Sequence, residues 1–222
     1  SKGGLGAGHF GDLESLLDWT AQQGGGVVGT LPLSAAFLQG PCDFSPYTPI
    51  SRLFWNEFYL DLEAVPGFKE CTAARKLTES KEFTDEVKKL RKLKRVDYER
   101  IMKLKASVLE LLAAYFFKQP AKVAKEFKQF LKQRPEVKDY ARFRATLEKH
   151  GHPFHGWTPG RRQGRLRTGD FEPERENYHL FVQWAADLQL PALAEKARSI
   201  GPGLYLDYPL GVHPDGYDMW RW

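Results

Sequence analysis

The sequence predicts an α/β fold in which two core strands of a parallel sheet flank a mainly helical insertion. Three observations predict it. Residues 27–33 and 204–207 are short apolar runs without polar alternation, the pattern of strands covered on both faces. The first run follows a helix-patterned stretch and a glycine turn, which is one αβ step of such a fold. Between the runs, most of the chain keeps apolar positions three or four residues apart.

The elements follow in order. Residues 3–11 are glycine-rich and predict a loop. Asp12 opens a helix, since a carboxylate there accepts bonds from the free amides of the first turn. Leu13, Leu16, Leu17 and Trp19 form its apolar stripe, and Gly24, Gly25 and Gly26 end it. Residues 34–69 lack helical periodicity and are broken by Pro41, Pro46, Pro49 and Pro66, with Phe58 to Leu62 read as extended. A loop of that length inside a domain is commonly functional or a linker, and its aromatic content argues against a linker. Thr84, Asp85 and Glu86 suit a helix start. That helix carries Val87, Leu90, Ile101, Leu104, Val108, Leu111 and Tyr115 and ends before Pro120. Helices also fit 121–131, 137–149 and, interrupted by Pro191, about 174–199. Residues 151–169 form a second loop. Gly201, Pro202 and Gly203 then lead into the second strand, which ends in Asp207.

Composition narrows the function. The chain has 222 residues, 42% of them hydrophobic, enough to bury a core and too many for a disordered chain. Aromatics reach 14% with six Trp; such side chains fill cores, and sugar-binding clefts use them as stacking faces. Net charge is +5, but Lys and Arg are densest between 81 and 138 with acids interleaved, the pattern of a solvated helix face. No nucleic-acid partner is expected. Cys42 and Cys71 form no metal or disulfide pattern, which suits a reducing cytoplasm. No apolar run approaches a bilayer span, so no membrane partner is expected. The first residues carry no signal-peptide core, and both ends read as cuts through a longer protein. His150, His152 and His155 lack the spacing of a metal motif and read as a surface loop. No metal and no cofactor are expected.

In parallel α/β barrels, functional groups project from the C-terminal ends of strands into the loops beyond. Two stretches meet that rule. One is the loop after Leu33, with Asp43, Ser45, Tyr47, Arg52 and Asn56; the other is Asp207 and the loop carrying His213, Asp215 and Asp218. An acid at the end of an apolar strand is costly to bury unpaired. Asp207 is therefore either bonded structurally or placed at a site.

These residues carry a family resemblance. GAGHFGDL at 6–13 resembles the motif GIGDFGDL of the amylomaltases, the disproportionating enzymes among the 4-alpha-glucanotransferases. LPL at 31–33, SPYTPISRLFWNE at 45–57, FVQW at 181–184 and LDYPLGVHPDGYDMW at 206–220 are similar to that family's LPL, SPYSPxSRLFWNE, FVQW and LDLPLGVHPDGYDVW, in the same order. The resemblance implies a partial TIM (β/α)8 barrel of the α-amylase type that transfers segments of 1,4-α-glucan to an acceptor glucan or glucose with retention. Retention needs two carboxylates, a nucleophile and an acid/base. The resemblance places them beyond Trp222, so no catalytic residue is expected here, and the isolated chain is expected to be inactive. Tyr47 matches the tyrosine that stacks on the sugar at the reacting subsite, and Asp207 the aspartate that supports the nucleophile and the same sugar. Ser45 and Asp215 are further candidates for sugar hydrogen bonds. The expected partners are an α-1,4-glucan (maltooligosaccharide) and the remainder of the barrel.

Three residues depart from the family pattern: His9 for an acid, Phe44 where many members have Asp, and Tyr208 for Leu. Residues 1–69 are expected to form a barrel αβ unit with its substrate loop, 70–172 a helical insertion, and 173–222 a barrel helix and strand ending in a site loop. Two rival readings are a non-catalytic carbohydrate-binding module and a basic helical nucleic-acid-binding protein gripping phosphates with residues 88–95.

Overall fold

The computed structural model describes residues 4–38, 43–119, 124–151 and 153–222. Its first strands and helix are α1 (Phe10–Gln22), β1 (Val27–Thr30), β2 (Ser34–Ala35) and β3 (Ser51–Trp55). The helical stretch holds α2 (Thr72–Glu79), α3 (Lys81–Arg91), α4 (Tyr98–Phe117), α5 (Ala124–Gln133), α6 (Glu136–His150) and the short α7 (Pro159–Arg162). The long α8 (Pro173–Ile200), β4 (Gly203–Leu206) and α9 (Tyr217–Arg221) complete it. The two apolar runs at either end of the helices do pair. β1 and β4 lie parallel, Val27 opposite Gly203 through to Thr30 opposite Leu206. β2 and β3 form a separate antiparallel pair with an irregular register.

Both strands were expected to be covered on two faces, and they are not. Val28 is buried, and Leu204 and Leu206, which share its face by register, are half-buried. Val27, Leu31 and Tyr205 are more than half exposed. Successive side chains point to opposite faces, and α1 and α8 cover only one of them.

Other boundaries also shift, each for a local reason. α1 starts at Phe10 rather than Asp12, because Phe10 is buried and His9 caps the end. The His9 ring accepts the Gly11 N–H, and the Asp12 carboxylate accepts the His9 N–H in return, at 3.1 Å each. Of the expected stripe only Leu17 is buried; Trp19 is exposed. Residues 58–62 are not extended. Asn56 and Asp61 each accept an N–H two residues on and wind the chain into tight turns at Glu57–Tyr59 and Leu62–Ala64. The helix expected from Thr84 is two helices, capped by Ser80 and Asp97, and α2 precedes them. Its expected stop at Pro120, the first residues of the helix expected from 121, and His152 lie outside the described residues. Pro191 does not interrupt α8. It withholds one helical donor, but Leu190, Leu193 and Ala197 are all buried and seat both sides of it on the core.

The core centres on α8, which packs against α6, α4 and α1. Phe116 lies 5.2 Å from Phe181 and 4.9 Å from Trp184, ring to ring, and all three are buried. Each such side chain contributes about 1.5–3 kcal/mol by leaving water. Ionisable groups line the edge of this core as well. The Glu148 carboxylate meets the buried His179 at 2.8 Å and accepts from Arg175. Burial opposes its charge, yet those two partners hold it far below the usual carboxylate range. Arg144 donates to the Tyr140 hydroxyl at 2.9 Å and sits 3.6 Å from Glu57. In α4, Lys105 is buried and donates to the carbonyls of Phe58 and Leu60, and burial pushes its ammonium down to about 7. The basic stretch at 88–95 keeps Val87 and Leu90 inward, while Lys88 and Lys89 face Asp85 and Glu86. Among the described residues no helix is long and apolar enough to cross a membrane.

Candidate functional site

The site is built where two loops meet beside the C-terminal end of the β1–β4 pair. The loop at 43–50 leaves the β2 segment and returns to β3. Its ends are fixed by backbone bonds, Asp43 N–H to Phe37 O at 2.9 Å and Ile50 N–H to Ala35 O at 2.6 Å. The loop at 207–216 leaves β4. Asp207 continues the ladder, its N–H donating to Thr30 O at 3.2 Å. The loops are sewn together below the rim. The Asp218 carboxylate accepts the Ser51 hydroxyl at 2.5 Å and the Arg52 N–H at 3.0 Å. Gly216 sits against the Ile50 carbonyl, where a Cβ would approach to 2.5 Å, so only glycine closes that seam.

Tyr47 and Asp207 come together on this rim. The Tyr47 hydroxyl donates to Asp207 Oδ2 at 3.0 Å, and Oδ1 accepts the Tyr208 N–H at 2.8 Å. Accepting that proton, Asp207 raises the Tyr47 phenol above the ordinary tyrosine value. The Tyr47 ring is about half exposed, so a flat apolar face remains open beside a carboxylate. That combination suits a pyranose, which has apolar C–H faces and a hydroxyl rim.

Ser45 and Asp215 occupy supporting positions. Ser45 Oγ accepts the Tyr47 N–H at 3.3 Å, and its own N–H donates to Asp43 Oδ1 at 3.0 Å. Asp215 donates its N–H to His213 Nδ1 at 3.0 Å, and its carboxylate lies 3.6 Å from His155. Asn56 is buried as a turn cap, away from the rim. The three departures from the family pattern have local partners. His9 caps α1, Phe44 stacks on Tyr98 at 5.3 Å, and Tyr208 lies beneath the Arg52 guanidinium at 5.8 Å. The sequence reading did not anticipate the Ser51–Asp218 seam. A serine and an acid so far apart in sequence carry no local signal of being partners. Among the described residues no group of His, Cys, Asp or Glu has a metal-holding arrangement.

A parallel strand pair with helices against it and an acid at a strand tip belongs to the class of α/β proteins that hold ligands beyond the carboxyl ends of their strands. The whole chain, residues 1–222, matches the family model described as 4-alpha-glucanotransferase, and the chain belongs to that family. The 4-alpha-glucanotransferase of Haemophilus influenzae is 28% identical over 99% of this chain and 34% of its own length. That of Mycobacterium bovis is 29% identical over 99% and 32%. The chain thus spans about a third of the length of these relatives. The crystal structure of amylomaltase from Corynebacterium glutamicum is similar with a TM-score of 0.77 and 26% identity, covering 99% of this chain and 30% of that one. An amylomaltase from Streptococcus agalactiae in complex with acarbose shares the fold, with a TM-score of 0.76, 24% identity and 98% of this chain covered.

Proposed function

We propose that this chain supplies the sugar-gripping part of a cytoplasmic 4-alpha-glucanotransferase, holding a glucosyl unit of a 1,4-α-glucan at its Tyr47–Asp207 rim. The observation that carries the reading is the meeting of an open aromatic face with a carboxylate at a strand tip, reached from two distant stretches of sequence. Tyr47 stacks on the pyranose, and the Asp207 carboxylate exchanges the phenol proton for sugar hydroxyls. Ser45, which accepts the Tyr47 N–H, and Asp215, two residues beyond His213 on the facing loop, are the further candidates for sugar hydrogen bonds. In this reading β1 and β4 are neighbouring strands of a (β/α)8 barrel, residues 1–69 and 173–222 belong to that barrel, and 70–172 form a helical insertion. The bare outer face of Val27 and Tyr205 is then where the rest of a barrel packs.

The chain by itself transfers nothing. Retaining transfer needs one carboxylate free to attack and a second to shuttle a proton. Near the rim, Asp43 and Asp218 are occupied by hydroxyl and backbone donors, and Asp207 by Tyr47. The test is titration of the purified chain with maltoheptaose, alongside Tyr47→Ala and Asp207→Asn, together with a glucose-release assay on maltotriose. Saturable binding that both substitutions weaken, with no glucose released, is the expected result. Absence of binding, or binding that ignores both substitutions, rejects the sugar site. Glucose release rejects the inactivity.

A further inference from the structure

We propose that His213 is the positioning residue of this rim, fixing through Asp43 and Phe37 the loop that brings the Tyr47 hydroxyl onto Asp207. Its consequence for glucan affinity rests on the function proposed above; the positioning itself does not.

Between its two backbone anchors, the loop at 43–50 is organised by Asp43. Oδ1 accepts the Ser45 N–H at 3.0 Å and Oδ2 the Thr48 hydroxyl at 2.8 Å. Ser45 in turn accepts the Tyr47 N–H, so the direction in which Tyr47 leaves the backbone is set from Asp43. Asp43 is itself part-exposed and needs a hold from another element. His213 is that hold. Its Nε2 lies 3.9 Å from Asp43 Oδ2, and its ring meets Phe37 edge-on at 4.9 Å. Phe37 and Asp43 are the two residues of the bridge that starts the loop. At the other end of the loop, the His213 N–H donates to Pro49 O at 2.8 Å.

The imidazole is fixed in turn. Nδ1 accepts the Asp215 N–H at 3.0 Å, which turns the Nε2 side of the ring to Asp43, an electrostatic contact at 3.9 Å. The His213 carbonyl accepts from Gly216 at 2.8 Å, within the glycine seam. Asp207 and His213 therefore lie on one loop and Tyr47 and Asp43 on the other, and above the backbone seam at Pro49 and Ile50 their side chains meet at Tyr47–Asp207 and at Asp43–His213. With the imidazole removed, the backbone seam remains, but Asp43 loses its side-chain neighbour on the facing loop and the turn that directs Tyr47 loosens.

The experiment labels the nine tyrosines of the 222-residue chain as 3-fluorotyrosine, assigns Tyr47 with Tyr47→Phe, and follows its 19F resonance in His213→Ala, His213→Gln and Asp43→Ala. Maltoheptaose titrations run in parallel. His213→Ala is expected to move the Tyr47 resonance toward that of free fluorotyrosine. It should also weaken maltoheptaose on the order of tenfold, as lost pre-organisation does. Gln keeps an N–H group facing Asp43, so His213→Gln should keep both properties nearer the parent than Ala does. Asp43→Ala also removes the Ser45 and Thr48 bonds and should move the resonance further than His213→Ala, and the double variant should be no worse than Asp43→Ala alone, as members of one link are non-additive.

An unmoved Tyr47 resonance in His213→Ala overturns the proposal, as does a Gln variant no better than Ala. If His213→Ala does not fold, His213→Leu, which keeps bulk beside Phe37 but has no N–H to face Asp43, decides by the same resonance. If the parent chain binds no maltoheptaose, the sugar reading falls while the resonance still decides the positioning.

Discussion

Around α8, Phe181 and Ala185 are wholly buried and even the ionisable His179 is enclosed; at the strand tips, Tyr47 and Tyr208 are about half exposed and held by a few directed contacts. The helical part is held by area removed from water, the rim by a few directed bonds. Apolar burial is large and tolerant of small shifts, whereas a hydrogen bond is modest in net worth and strict in geometry. The two regions should therefore fail separately, one in stability and the other in binding.

The largest expected effect breaks the helical side. Phe181→Ala empties a site that touches Phe116 and Trp184 and should cost about 3–5 kcal/mol, read from a denaturant midpoint. Below its lowered midpoint this variant should bind maltoheptaose as the parent does; a loss of affinity there would mean that core and rim are not separable. Glu148→Gln should cost about 2 kcal/mol, less than a fully enclosed pair because Glu148 is partly exposed.

A pH series sharpens the same contrast. Burial pushes the His179 imidazole below its ordinary value, against the pull of Glu148. The unfolded chain then takes up a proton near pH 6.5 that the folded chain refuses, so stability falls as pH drops below that value. Between pH 7.5 and 5.5 the parent should lose more thermal stability than His179→Asn, and equal losses would exclude His179 as the cause. At the rim, Tyr47→Phe should move Tm by less than about 2 °C while weakening maltoheptaose. The smallest effect belongs to the open sheet face. Tyr205→Ser should leave Tm within the same range and reduce self-association in sedimentation, because it removes an exposed ring from an uncovered strand.

Much of this was legible in the sequence. The two strands, expected at 27–33 and 204–207 and found at 27–30 and 203–206, were legible as apolar runs set off by glycines, and α6 as plain periodicity; their pairing is seen only in the structure. That Tyr47 and Asp207 lie together was legible because long motifs carried both. What was not legible depends on partners remote in sequence. The break between α3 and α4 is set by Asp97, whose capping role in a lysine-rich run has no distinct pattern. The half-covered sheet reflects which helices fall on it, which apolar content does not reveal. Pro191 within α8 shows burial overriding a local breaker. The staple between Asp43 and His213 joins two loops of unremarkable polarity and becomes visible only in three dimensions.

The pairing of Val27 with Gly203 has a consequence for how the chain reaches its working form. All the helices from α2 to α8 lie between these two strands, so the tips they carry meet only after that long intervening chain has condensed. Contacts of such wide sequence separation close slowly. A growing polypeptide therefore has its helices in place well before the Tyr47–Asp207 rim is assembled.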